Sequence, residues 1–326
     1  MTLRALIPSF TLMVILALLP LVLNGYWVGQ LNYYLVYGLF ALSLSVVWGY
    51  GGILCLGQAA FFGIGAYVMA LVTKGMILPD ITSSLIGILA AMIAAVLFAL
   101  VLGFFLFAGR GVQGAYLAVM TIAVTLMLER LMSNWYALGG YNGLLDIPPL
   151  TLQLGDFFYE FWDAAPLFYL LLTIVFAILF ALQIFMNSRY GLLLTALKGN
   201  QDRLTFFGYG ILRLKMSVFA LGAAIAGLAG ALFVTIDGFA SPTLIGFTLS
   251  TEVLIWVALG GKEMLLAAFL GAFVTRFAEG WLSEALDDFW LLAIGAIFMV
   301  SVVLLPKGLI ATPLGKIGEA LKIRIR

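Results

Sequence analysis

The stretch GFTLSTEVLIWVALGGKEMLLAAFLGAFVTRFA, residues 246–278, decides the fold. It consists of two short apolar runs, 246–259 and 263–278, broken by Gly260-Gly261-Lys262-Glu263. Whether it crosses a bilayer once or twice is settled by charge, because cytoplasmic loops carry an excess of Lys and Arg. The tail 306–326 holds Lys307, Lys316, Lys322, Arg324 and Arg326 against Glu319. A single crossing strands those bases on the wrong side. Two crossings return them to the basic side and leave Glu279, Glu284, Asp287 and Asp288 on the acidic one. As a helix, 246–259 is only about 21 Å long, so it reads as a partial or tilted span.

The rest of the chain agrees with that reading. Of 326 residues, 64% are hydrophobic and 10% charged, whereas a soluble domain is about 25% charged. Lipid must therefore be the solvent for most of the surface. A helix needs about 20 apolar residues to cross a bilayer. Runs of suitable length and composition fall at 6–23, 31–48, 53–73, 81–108, 114–131, 165–186, 214–236 and 289–305. The first is too long for a signal-peptide core and lacks a small-x-small cleavage pattern. It is expected to be a span. Loop 187–213 carries Arg189, Lys198, Arg203 and Arg213 against Asp202, and loop 132–164 carries Asp146, Asp156, Glu160 and Asp163 with no base. The expectation is an all-α polytopic bundle of eight to ten spans, ten hydrophobic passes in all, with both termini cytoplasmic and one membrane domain over 1–326.

Composition also removes functions. Histidine is absent, and with it the commonest metal ligand and general base, so neither a metal site nor a His-dependent enzyme is expected. A net charge of +1 gives no footprint for nucleic acid, and Cys55 is the single cysteine. No G-x-x-x-x-G-K-[ST] phosphate loop occurs. No cofactor is expected on this chain, and any ATP must bind elsewhere.

Several residues stand out within the spans. Ala59, Gly63, Ala66 and Ala70 recur on one helical face, a small-residue seam of the kind that lets helices approach closely. Ala223, Gly227 and Gly230 form a second. Gln58 either faces a polar path or is satisfied by a neighbouring helix. Thr121 and Thr125, one turn apart, either line such a path or bond back to their own helix's carbonyls. Glu129 and Arg130 close the span 114–131 and are expected at the outer interface. Glu252 is an intramembrane carboxylate, costly and usually functional, unless the outer mouth solvates it. In the basic loop, Leu192–Phe207 reads as a short helix bounded by Gly191 on one side and Gly208 and Gly210 on the other. It is either a rigid knob or an ordinary basic loop.

Four collinear blocks make the chain recognisable. They are LGQAAFFGIGAY (56–67), GGYNGL (139–144), SRYG (188–191) through KMSVF (215–219), and AGLAGAL (226–232). They resemble the permease family of the branched-chain amino-acid and urea or short-chain amide ABC importers. In the C-terminal third, IWVALGG (255–261), WLSEA (281–285), FWL (289–291) and LPKGL (305–309) look like the urea branch. One departure is Lys262-Glu263-Met264, where the family usually has a small Gly-Thr-like stretch. The resemblance implies a multi-pass permease subunit of the bacterial inner membrane that moves urea or a short amide. Branched-chain amino acids are the alternative, and a passive channel for a small polar solute is the alternative from another class. It further implies a homologous second permease subunit, two ATP-binding-cassette ATPase subunits and an extracytoplasmic solute-binding protein. Segment 187–215 would then couple to the ATPase, with Arg189, Gly191, Lys198, Asp202, Arg203 and Gly208 as the candidates. Gln58, Thr121, Thr125 and Glu252 would line the solute path.

Overall fold

A computed structural model describes residues 6–77, 82–108, 114–154, 157–286 and 308–320, with isolated positions between 289 and 299. Most of the expected span 289–305, residues 287 and 288 of the acidic stretch and the last six residues fall outside the described residues. The chain is a helical membrane bundle. Six helical stretches are long and apolar enough to cross a bilayer: Gly25–Tyr50, Ser84–Phe107, Ala115–Asn134, Ala164–Met186, Ile211–Asp237 and Leu265–Ser283. Three shorter apolar helical stretches, Ile7–Leu21, Gln58–Thr73 and Phe247–Gly260, fall at three more of the ten expected passes.

In chain order the helices are α1 (Ile7–Leu18), α2 (Gly25–Leu44), α3 (Gln58–Thr73), α4 (Ser84–Phe107), α5 (Ala115–Asn134), α6 (Ala164–Met186), α7 (Arg189–Gly199), α8 (Gln201–Phe206), α9 (Ile211–Asp237), α10 (Phe247–Gly260), α11 (Leu265–Leu286) and α12 (Ala311–Ala320). Local chemistry explains where several begin. The Asn24 side chain accepts a hydrogen bond from the Trp27 amide, so α2 starts six residues before the expected 31; this is a conventional N-cap. At its other end α2 relaxes into a π-helical turn, Ser45–Tyr50. Residues 51–57 are not helical, with Gly52 at φ 68°, so α3 begins at Gln58 rather than at 53. The connection 132–164 is not wholly irregular. It contains an antiparallel hairpin, β1 (Thr151–Leu154) with β2 (Phe157–Glu160).

The two loop groups mark the two ends of the bundle. At the acidic end, Lys74 donates to the Leu145 carbonyl at 2.5 Å and the Thr151 amide to Ser84 at 2.9 Å. At the basic end, Lys198 reaches Glu263 at 2.6 Å and Ser45 donates to the Lys262 carbonyl at 3.0 Å. The break at 260–264 therefore sits at the basic end, between a helix arriving and a helix leaving. That is the double crossing the charges required. The Leu309 amide donates to the Leu259 carbonyl at 2.7 Å, so the start of the tail lies there too.

Helix α9 is the hub, packed against α2, α3 and α4. Close approach depends on glycine. A Cβ on Gly65 of α3 would strike the backbone of Gly227, and one on Gly230 would strike the Phe62 carbonyl and the Ala66 amide. On its other flank Gly227 faces Ala95 and the Ala91 carbonyl. Those two lie on a stripe of small residues on α4 (Gly87, Ala91, Ala95, Ala99 and Gly103), all buried. The expected single seam Ala59-Gly63-Ala66-Ala70 is divided between partners, because Gly63 packs instead on Ile245 of the turn Pro242–Ile245. Helix α3 is buried on nearly every side, so no one face is its packing face.

Candidate functional site

Three places in the bundle concentrate polar chemistry. The first is the start of α3. Gln58 is fully buried; its Nε2 donates to Ser43 Oγ at 3.0 Å and to the Gly222 carbonyl at 3.4 Å. Its Oε1 has no partner among the described residues. Thr121 and Thr125 bond back to the carbonyls of Ala118 and Thr121 on their own helix. Thr121 Oγ1 also accepts from the Leu56 amide at 3.1 Å, and Ser250 Oγ accepts from the Ala59 amide at 3.1 Å. A Cβ on Gly57 would meet the Thr121 carbonyl. Thr121 and Ser250 thus hold the approach to α3 and its first turn, satisfying amides that would be costly to bury unpaired.

Of the second place, Glu252 was singled out from the sequence and Arg276 was not. Arg276 lies eleven residues along α11, about 16 Å from its basic end, inside a stretch long and apolar enough to cross a bilayer. Its Nη1 is 2.7 Å from Glu279 Oε2 and 3.6 Å from Glu252 Oε2. The guanidinium lies over the Tyr37 ring at 4.2 Å and near Trp256 at 5.5 Å, both cation–π distances. Tyr33 donates to Asp237 at 3.2 Å alongside. Between α2 and α11 a cavity of about 460 Å³ is lined by Tyr33, Tyr34, Tyr37, Arg276, Glu279 and Ser283, among others. Glu252 is thus an ion-pair partner of Arg276, with its side chain 30% exposed. Glu279, expected in the acidic outer stretch, is turned inward and only 12% exposed, because α11 continues through it to Leu286. The available signal was a base inside an apolar run. Counting charges only in loops passes over it.

The third place is the basic end. The single helix expected over 192–207 is two helices. Ser188 accepts from the Tyr190 amide and starts α7 at Arg189. Asn200, extended at φ −158°, ends it and caps α8 by accepting from the Arg203 amide at 3.0 Å. Gly191 is therefore not a boundary. It lies buried inside α7, where a Cβ would strike the Met186 carbonyl. Gly208 does end the unit, at φ 82°. Arg189, Asp202 and Arg203 are exposed, as are Phe206 and Phe207 at 91% and 79%. Lys198 is fastened, to Glu263 and to the Gly49 carbonyl at 3.0 Å. Glu129 sits beside Gly246, near the acidic end of α5, and Arg130 is exposed. No group of His, Cys, Asp and Glu able to hold a metal is found among the described residues.

A family described as the branched-chain amino acid transport system / permease component matches residues 26–302. The chain belongs to that family. It is a membrane transport component rather than an enzyme. Among its relatives, the high-affinity branched-chain amino acid transport system permease protein LivM of Escherichia coli (strain K12) is 29% identical over 297 residues, covering 85% of this chain and 68% of the relative. The permease protein LivH of the same kind of system in Salmonella typhimurium is 24% identical over 299 residues, covering 89% and 94%. The probable branched-chain amino acid transport permease protein LivM of Methanocaldococcus jannaschii is 25% identical over 225 residues, covering 61% and 64%. No solved structure matches.

Proposed function

We propose that this permease is the membrane-spanning subunit of an ATP-driven importer of branched-chain amino acids in a bacterial inner membrane. The observation that carries the reading is the breadth of the match, 26–302, to a family of that description. The chain is similar both to LivM and to LivH of Salmonella typhimurium. A homologous second permease subunit is therefore part of the proposal. Two ATPase subunits complete it, docking on the exposed α7–α8 elbow, together with an extracytoplasmic binding protein. Exposed Phe206 and Phe207 beside Arg203 and Asp202 suit a protein partner, because aromatic anchors with arginine are enriched at interfaces. Urea or a short amide, the substrate suggested by the C-terminal third, becomes the second choice, since the relatives named above carry branched-chain amino acid names. A passive channel gives no role to the elbow.

The test is uptake in a strain lacking its own branched-chain amino-acid importers, supplied with this chain and its neighbouring transport genes. Radiolabelled leucine should accumulate, and unlabelled isoleucine and valine should compete while urea does not. Accumulation of urea with no leucine uptake would reverse the order of substrates.

A further inference from the structure

We propose that the cleft between α2 and α11 is a membrane-depth binding site for a zwitterionic amino acid, with Arg276 for its carboxylate, the surrounding acids for its ammonium and the tyrosines for its side chain. This rests on the amino-acid importer reading above and adds the site. The cavity, about 460 Å³, is within the range of small-ligand pockets, about 300–1,000 Å³.

The charges are the reason to read it as a site rather than as packing. Ionisable side chains at this depth are costly and mark substrate or ion paths. Arg276 and Glu279 line the cleft, and Glu252 of α10 approaches the same guanidinium. Two carboxylates therefore share one guanidinium. A second cation is what such a cluster lacks, and an ammonium group supplies it. Both glutamates approach the same guanidinium nitrogen, Nη1. Neither takes the two-pronged grip that a carboxylate makes on arginine, so that grip is left for a solute carboxylate. Arg276 is fixed for the purpose by the faces of Tyr37 and Trp256. Tyr33, Tyr34 and Tyr37 give the wall an apolar body with polar tips, which suits an aliphatic side chain attached to a charged head. An uncharged solute of urea's kind would leave the second of those carboxylates without a cation of its own. A site built on polar complementarity rejects such a ligand strongly.

The test is binding of radiolabelled leucine to the assembled transporter in nanodiscs, without the binding protein, so that only the membrane site selects. Unlabelled leucine should displace the label. Leucinol, which lacks the carboxylate, and 4-methylpentanoate, which lacks the ammonium, should need at least ~30-fold more, the discrimination of a lost charge-assisted contact of about 2 kcal/mol. Arg276→Gln should weaken leucine binding at least ~10-fold. Because that change leaves two partly buried carboxylates without a cation, the double variant Arg276→Gln/Glu279→Gln is measured beside it. It removes one charge of each sign at similar volume, should assemble, and should still fail to bind. Leucine binding at wild-type strength in the assembled double variant, or displacement by leucinol as good as by leucine, would overturn the site. If wild-type transporter takes up no branched-chain amino acid at all, the functional reading fails instead, and the two outcomes are told apart by that control.

Discussion

Replacing Gly65 by alanine should separate α3 from α9, and the structure sets the size of the effect. A Cβ built on Gly65 lands on the Gly227 backbone, with its Cα at 2.5 Å and its carbonyl carbon at 2.6 Å. Contact at ordinary carbon separation needs about 3.5–4.0 Å, and backbone, unlike a side chain, cannot swing aside. The helices must part by about 1 Å. Parting also loosens the neighbouring approach of Gly230 to Phe62 and Ala66, and a gap of about 0.5–1 Å forfeits a quarter to a half of each contact's attraction. Overpacking of this kind costs about 1–3 kcal/mol, and the upper half of that range is expected here. The matched control is Gly29→Ala on α2, where nothing lies within 4 Å of the new methyl. Alanine there relieves the helix cost of glycine, about 1 kcal/mol, and should be neutral or stabilising. Thermal unfolding of the detergent-purified protein, with size-exclusion monodispersity as a check, should show a lowered midpoint for Gly65→Ala and an unchanged or raised one for Gly29→Ala. Equal midpoints for Gly65→Ala and Gly29→Ala would refute the argument that the α3–α9 crossing is set by backbone contact.

The same geometry sets three further outcomes. In a Cys55→Ser background, Lys262→Cys should react with an impermeant thiol reagent only from the cytoplasmic side, because the 260–264 break shares an end with loop 187–213; labelling from outside would undo the double crossing. Gly208→Val should insert normally but cut solute-stimulated ATPase activity of the assembled transporter several-fold, because a β-branched residue is a poor fit at φ 82° while nothing lies close enough to clash; unchanged coupling would make the elbow a mere linker. Lys198→Ala should change stability by no more than about 1 kcal/mol, as its pair with Glu263 is partly exposed, yet lower uptake, with recovery in Lys198→Arg; a large loss of stability with normal uptake in the surviving protein would contradict that.

Sequence reasoning reached the architecture because the signals behind it are additive over many residues. Apolar length located the spans, and loop charge required 246–278 to cross twice, which the Lys198–Glu263 and Ser45–Lys262 contacts bear out. It failed where one residue's geometry overrode a run. Asn200 splits the inner helix because its side chain caps α8 while its own extended backbone cannot continue α7. Gly51 and Gly52 delay α3 to Gln58 within an apolar stretch that hydropathy reads as continuous. Gly65, the residue that fits α3 to Gly227, carries no periodic signal that separates it from Gly63; only the partner's position does. Arg276 was passed over for a related reason. Its meaning lies in Glu279 one turn on and in Glu252 on another helix, and the second of those relations exists only in three dimensions.

Those same contacts bear on how a push at the basic end would reach the cleft. Lys198 of α7 is fastened to the break between α10 and α11, and the start of the tail is fastened there as well. Next to the break α10 and α11 touch backbone to backbone. A Cβ on Gly260 would strike the Ala267 carbonyl, and one on Gly271 would strike that of Trp256. Two helices so closely seated move as one body, because sliding either past the other requires first lifting it away. That body carries Glu252 and Arg276, while the tyrosines opposite them belong to α2. Contact between α11 and α2 is of a softer kind at the cleft, through the rings of Trp27 and Phe277 and of Tyr34 and Phe273 at 6.4 and 5.9 Å, and rings can repack. Under the proposed function, an ATPase that displaces the elbow therefore has a rigid lever whose far end forms one wall of the charged cleft. At the basic end α2 is itself pinned to the break, by Ser45 on the Lys262 carbonyl and by the close backbone of Gly49, so under that proposal any give between α2 and α11 falls at the cleft end.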